Sequence, residues 1–157
     1  MEQELQVILD HHPIPPNVYG EIVLCFDCNK PINSLNDIIG ISAQDVKRLQ
    51  DMRINPITKR HNPGYWVYRT KVFSCPDFDC EPLFMLLNDL LTMHMEGLKK
   101  AMQQYAPCDV FIRIYADIQQ QGEYPAIRLP SALLSTIASL DACIDVIIAD
   151  DFDCGCI

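Results

Sequence analysis

The chain has 157 residues, of which 49% are apolar and 21% charged, a composition typical of one folded globular domain and not of a disordered chain. No apolar run reaches the roughly 18 residues that a membrane-spanning helix needs, so we expect no membrane segment. The acidic N-terminus lacks a basic stretch followed by a long apolar run, so no signal peptide is expected and the predicted compartment is the cytoplasm. The eight cysteines are expected to remain thiols there.

The net charge of −9 is unevenly distributed along the chain. Seven of the twelve basic residues lie between Lys47 and Lys71, whereas eight acids and only two arginines lie from Asp109 onward. Such a surface repels phosphate backbones, which disfavours direct binding of nucleic acid and favours a basic protein partner. The alternative is that the charge only keeps the protein soluble.

In chain order, residues 1–20 are predicted to form an N-terminal extension with a proline-rich linker, because prolines interrupt any helix there. The β-rich run at 21–28 predicts a buried strand, and the segment that ends at Gly40 predicts a short helix. Capping-box spacing at Ser42 and Asp45 predicts a second short helix over the segment SAQDVKRLQDM.

The second half of the chain continues this mixture of helices and strands. Alternating aromatic residues predict a strand over 65–73, and apolar residues at helical spacing predict the longest helix from Pro82 to about Tyr105. Alternation predicts another strand over 108–117, and an amphipathic helix then precedes a last strand over 143–150. The continuous apolar run of that last strand predicts an interior position in the sheet.

This order predicts an α+β fold, a two-layer sandwich with helices packed on one face of a mixed or antiparallel sheet of four to five strands. No internal boundary divides residues 21–150, which are therefore predicted to form a single domain. An acidic, cysteine-containing tail follows at 151–157.

Three copies of Phe-Asp-Cys raise the question of a metal site. Structural zinc sites often combine two close pairs of cysteines, and Cys25, Cys28, Cys154 and Cys156 form two such pairs. A zinc- or metal-binding regulatory domain that uses these thiolates is therefore the alternative hypothesis. Residues three apart on a strand point to opposite faces, which argues against Cys25 and Cys28 as joint ligands. We therefore predict no metal and no cofactor.

Catalytic motifs are missing from the sequence. It contains no glycine-rich phosphate loop, no H-E-x-x-H and no G-x-S-x-G. A Cys–His enzyme needs an oriented base, but His94 lies beside the apolar stripe of the longest predicted helix and is interpreted as a packed helix residue. We predict that the protein is not an enzyme.

Four stretches occur in an order that resembles a widespread bacterial small-domain family of unassigned function. They read INSLNDIIGISAQDV, GYWVYRT, PLFMLLNDLL and YPAIRLPSALLSTIASLDACIDVIIAD, and together they span roughly residues 20–150. The resemblance rests on core and turn residues and implies a fold, with no catalytic motif to transfer. Some members lie beside polymorphic toxins, so it also implies an immunity role. The N-terminal extension and the acidic tail depart from the family pattern, and partner specificity is expected to differ there.

The leading hypothesis is a bacterial, cytoplasmic immunity protein that binds and neutralises a cognate toxin, expected to be a basic nuclease of contact-dependent growth inhibition. Carboxylates would pair with the Lys and Arg residues that a nuclease uses for phosphate, giving electrostatic capture and occlusion of its active site. The predicted contact residues form two acidic clusters: Asp77, Asp79, Glu81, Asp150, Asp151 and Asp153. The sequence makes no prediction of the oligomeric state.

Overall fold

The computed structural model describes residues 17–48, 63–75, 79–117 and 127–149. Within these residues the chain forms six strands and four helices. The strands are β1 (Asn17–Asp27), β2 (Asp45–Arg48), β3 (Pro63–Arg69), β4 (Phe73–Ser74), β5 (Cys108–Asp117) and β6 (Cys143–Ala149), and the helices are α1 (Leu35–Ile39), α2 (Glu81–Met93), α3 (Met95–Gln104) and α4 (Ser131–Ser139).

The strands form one mixed sheet in the order β2-β3-β1-β5-β6, and β4 pairs with the start of β1. All pairs are antiparallel except β5 with β6, where the chain crosses back through α4 and makes the two strands parallel. The predicted α+β architecture, with a mixed sheet and helices on one face, is confirmed. The described sheet has six strands because two short segments, β2 and β4, also pair.

The core lies between the sheet and the helices. Every second residue of β1 points into the core, because side chains alternate between the two faces of a strand. The apolar residues of α2 recur at helical spacing and form one stripe that faces them. Trp66 is 0% exposed, and its Nε1 donates to Asn36 Oδ1 at 2.7 Å, which satisfies the only polar atom of the indole. The same oxygen accepts from the backbone N–H of Ala43 at 3.1 Å, so Asn36 ties α1 to the sheet.

The predicted second short helix at Ser42–Met52 is wrong where the structure describes it. Residues Asp45–Arg48 form β2 and pair with β3. Val46 packs against the core, and Asp45 forms ion pairs with Lys47 and Arg69 instead of capping a helix. Tertiary packing thus outweighs the local capping signal.

The predicted long helix is broken at His94. α2 ends at Met93 and α3 begins at Met95, and His94 Nδ1 lies 3.2 Å from the carbonyl oxygen of Ile39 in α1. The break lets Gly97 approach the backbone of α1 closely. His94 is packed, as its interpretation predicted, but it lies between two helices and not within one.

The predicted interior position of the last strand is also wrong. β6 ends the described sheet and pairs there only with β5. Its apolar residues Val146, Ile147 and Ile148 are 36–43% exposed. An apolar run at an edge strand resembles that of an interior strand, so the sequence alone does not distinguish the two. No helix in the part of the chain that the structure describes is long and apolar enough to cross a membrane.

Candidate functional site

The face of the sheet opposite the helices is the candidate site, because no described helix packs on it. Side chains along a strand alternate between the two faces, so every second residue of each strand points here. We call this surface the helix-free face. Five strands contribute to it: Asp45 and Lys47 of β2, Tyr65, Val67 and Arg69 of β3, Tyr19, Glu21, Val23, Cys25 and Asp27 of β1, Asp109, Phe111, Arg113, Tyr115 and Asp117 of β5, and Cys143, Asp145 and Ile147 of β6.

A row of charged residues crosses the helix-free face from β2 to β6, with one residue from each strand. We call it the charged row: Asp45, Arg69, Glu21, Arg113 and Asp145. Arg69 Nε lies 2.6 Å from Glu21 Oε1, and its Nη1 lies 3.1 Å from Asp45 Oδ2. Arg113 stands opposite Glu21 in β1 and Asp145 in β6, and its Nε lies 3.4 Å from Asp145 Oδ2. The signs therefore alternate along the row.

The middle of the charged row is buried, although it lies outside the core. Glu21 is only 4% exposed, which would be costly for an isolated carboxylate. Burial lowers the pKa of Arg69, but hydrogen bonds and Coulombic attraction from Glu21 and Asp45 outweigh it, so that pKa is raised. Burial raises the pKa of the Tyr115 phenol, and Glu21 raises it further. Arg69 therefore stays charged and Tyr115 stays neutral.

Aromatic rings flank the charged row. Tyr19 and Tyr115 stack with centroids 4.7 Å apart and planes 11° apart, and Arg113 lies over the ring of Phe111 at 5.6 Å. Aromatic and arginine side chains are enriched at protein–protein interfaces, where they give a large contact area with a polar end. The helix-free face thus has the composition of a binding surface.

Acids outnumber bases on this face. Its acids are Asp27, Asp45, Glu21, Asp109, Asp117 and Asp145, and its bases are Lys47, Arg69 and Arg113. Asp145 is well exposed, with 44% of its side chain accessible, and Asp109 is exposed as well. The face therefore favours a basic partner, and these two carboxylates are the most accessible contacts for it.

An open cavity of about 330 Å³ lies where β1, β3 and β5 meet at one end of the helix-free face. Two carboxylates, a thiol and a phenol line it beside apolar atoms: Cys25, Phe26, Asp27, Pro63, Gly64, Tyr65, Pro107 and Asp109. A cavity of this size and chemistry accommodates a side chain of a docked protein.

The acidic clusters predicted from the sequence are only partly described. Asp79 and Glu81 are exposed at the start of α2, and Asp79 Oδ1 accepts a hydrogen bond from the backbone N–H of Glu81 at 3.1 Å. This contact engages the backbone N–H of the first residue of α2, and α2 packs on the other face of the sheet. The remaining predicted residues, Asp77, Asp150, Asp151 and Asp153, lie outside the described residues.

The metal alternative finds no support among the described residues. Cys25 belongs to the helix-free face, whereas Cys28 follows β1 and packs against the core. Burial, together with the nearby charge of Asp109 and the thiols of Cys25 and Cys28, raises the pKa of Cys108 to about 12. Without a bound metal, Cys108 is therefore a protonated, unreactive thiol near neutral pH. No group of three candidate ligands occurs in the described ranges, outside which Cys154 and Cys156 lie.

Thiol alkylation tests the assignment of Cys80 and Cys108 as protonated thiols of low reactivity. Iodoacetamide at pH 8 should modify exposed Cys143 at least about tenfold faster than Cys80 or Cys108, because alkylation requires an accessible thiolate. Burial raises the pKa of Cys80 to about 12 as well. Peptide mass spectrometry over a time course measures each rate, and the rates should converge in denaturant. Fast native labelling of Cys108 would contradict the assignment.

Sequence reasoning missed the charged row. The sequence shows each member only as a single charged residue in an otherwise apolar strand, such as Glu21 in GEIVL and Arg113 in FIRIY. One such charge reads as an exposed side chain. Only the register places Glu21 between two arginines.

In a comparison with protein-family models, residues 19–151 match a domain of unknown function (DUF4279). This stretch covers the described sheet from Tyr19 of β1 to the end of β6, and leaves out only the first two residues of β1. Neither the curated proteins nor the solved structures gave a match. The chain belongs to the DUF4279 family.

Proposed function

We propose that this DUF4279 domain is a binding protein without enzymatic activity that captures a basic protein partner on its helix-free face. The observation that carries the proposal is the charged row, set among aromatic rings on a face that no described helix covers. Paired charges on a rigid sheet are held in place before binding, so little side-chain entropy is lost when a partner docks.

The partner class that fits this surface is a basic toxin nuclease, which makes the protein a cytoplasmic immunity protein. A net charge of −9 steers a basic protein toward the domain from a distance. Asp109 and Asp145 then pair with the Lys and Arg side chains that such a nuclease uses to hold phosphate. Occupation of those side chains prevents the nucleic acid from binding.

The test begins by searching the reading frames beside this gene for a basic toxin nuclease. Co-expression with that domain and binding kinetics on the purified pair follow. The double variant Asp109→Lys/Asp145→Lys should slow association by roughly 10- to 100-fold at low salt, because it reverses the most accessible charges of the face. It should also flatten the salt dependence of association and reduce growth protection.

Asp89→Lys is the matched control, since Asp89 is exposed on α2 and lies on the opposite side of the sheet. The variant Asp79→Lys/Glu81→Lys tests the acidic cluster at the start of α2 separately. Equal effects of Asp89→Lys and the double variant would contradict docking on the helix-free face. A neighbouring gene for a metabolic enzyme, with no toxin in reach, would contradict the immunity role.

A further inference from the structure

The outer edge of β6 is an apolar strand edge within the described sheet. Val146 and Ile148 are each 43% exposed and point toward the helix side, and Ile147 is 36% exposed on the helix-free face. Three consecutive exposed apolar residues beside an unpaired strand edge form a ready template for pairing with another strand.

The opposite edge of the sheet is built differently. Asp45, Lys47 and Arg48 of β2 are charged, and charged edge strands discourage pairing with other chains. β6 has seven residues and only one charge, Asp145. Within the described residues, the sheet is therefore protected by charge at β2 and open at β6.

We propose that β6 is a dimer interface, on which a second copy of this chain pairs antiparallel to continue the sheet. A two-fold axis through Val146 places Asp145 opposite Ile147 of the other copy, and an axis through Ile147 places it opposite Ala149. Neither register brings like charges face to face, so the edge is self-complementary. In both registers the helices of the two copies lie on the same side of the joined sheet.

Helix α4 adds a second contact to this interface. Thr136 Oγ1 donates a hydrogen bond to Asn88 Oδ1 of α2 at 2.7 Å, which identifies the side of α4 that faces α2. Leu134 lies on the other side of α4, at 100° per residue, and is 43% exposed. In a continued sheet the two α4 helices become neighbours, and Leu134 of each copy turns toward the other.

The test is the mass of the full chain by sedimentation and light scattering from about 1 to 300 µM, at low and high salt. The wild-type protein should move from 17.9 kDa toward twice that mass as concentration rises. Ile147→Asp and Leu134→Lys should each raise the dimer dissociation constant at least about tenfold. The aspartate at 147 faces Asp145 of the other copy in one register and its own counterpart in the other, and Leu134→Lys brings two lysines together. Met93→Lys, at a residue 74% exposed on α2, should have no effect.

A wild-type protein that stays monomeric over the whole concentration range overturns the proposal. A dimer that is as stable in the Ile147 variant or in the Leu134 variant as in the wild type also overturns it. Thermal unfolding of each variant confirms that it is folded. Salt separates this interface from the proposed capture of a basic partner. Two copies of charge −9 repel each other, so salt should strengthen the dimer, whereas it should weaken binding of the basic partner.

Discussion

Replacement of Gly97 by alanine should lower the free energy of unfolding by about 3 kcal/mol, at the upper end of the cost of overpacking. A methyl group at this position would lie 2.5 Å from the carbonyl oxygen of Ile39 and 2.7 Å from that of Ile38. Both atoms belong to the backbone of α1, which moves only if the helix is displaced. Chemical denaturation monitored by circular dichroism measures the loss.

The sign of this effect is informative because alanine is the better helix former by about 1 kcal/mol. Lys99→Ala, at an exposed position two residues further along α3, is the control and should leave stability nearly unchanged. Stabilisation by Gly97→Ala would contradict the close approach of α3 to α1. The break at His94 would then need another explanation.

The variant Glu21→Gln should lower the free energy of unfolding by about 3 kcal/mol, the lower end of the cost of breaking a buried ion pair. It keeps the shape of the side chain but removes the charge that Arg69 Nε contacts at 2.6 Å. Arg69 is then left with Asp45 as its ion-pair partner, and its side chain is only 25% exposed. Water therefore compensates only part of the lost interaction.

Asp145→Asn tests the exposed end of the same row. Its contact with Arg113 is longer, 3.4 Å, and its side chain is 44% accessible, so we expect a loss below about 1 kcal/mol. Urea unfolding of both variants at one pH and ionic strength gives the comparison. Equal losses in the free energy of unfolding for Glu21→Gln and Asp145→Asn would contradict the larger contribution expected from the buried ion pair of Glu21.

The fold was predictable where one pattern spans a whole element. β5 alternates cleanly, and the apolar stripe of α2 identifies its buried side. The errors occur where a local signal competes with packing. The capping-box pattern at Ser42 predicts a helix, but Val46 packs against the core and its segment forms a strand. The apolar stripe of α2 continues into α3, although α2 ends at Met93.

The candidate site was less predictable than the fold, for a physical reason. Reasoning from the sequence favoured acids that are neighbours in the chain, such as Asp79 and Glu81. The charged row instead joins residues that are far apart in the chain, since Asp45 and Asp145 belong to opposite edges of the sheet. Strand register creates that proximity, and no short segment encodes it.

The charged row also has a consequence for folding. Side chains alternate between the two faces of a strand, so a central strand that slipped by one residue would turn its charged-row residue into the core under the helices. A charge there would lose its partners and its water, at a cost of several kcal/mol. Each of the three central strands, β3, β1 and β5, thus carries one residue of the row that penalises misalignment. The row specifies a single alignment of the sheet, in addition to any partner that it recognises.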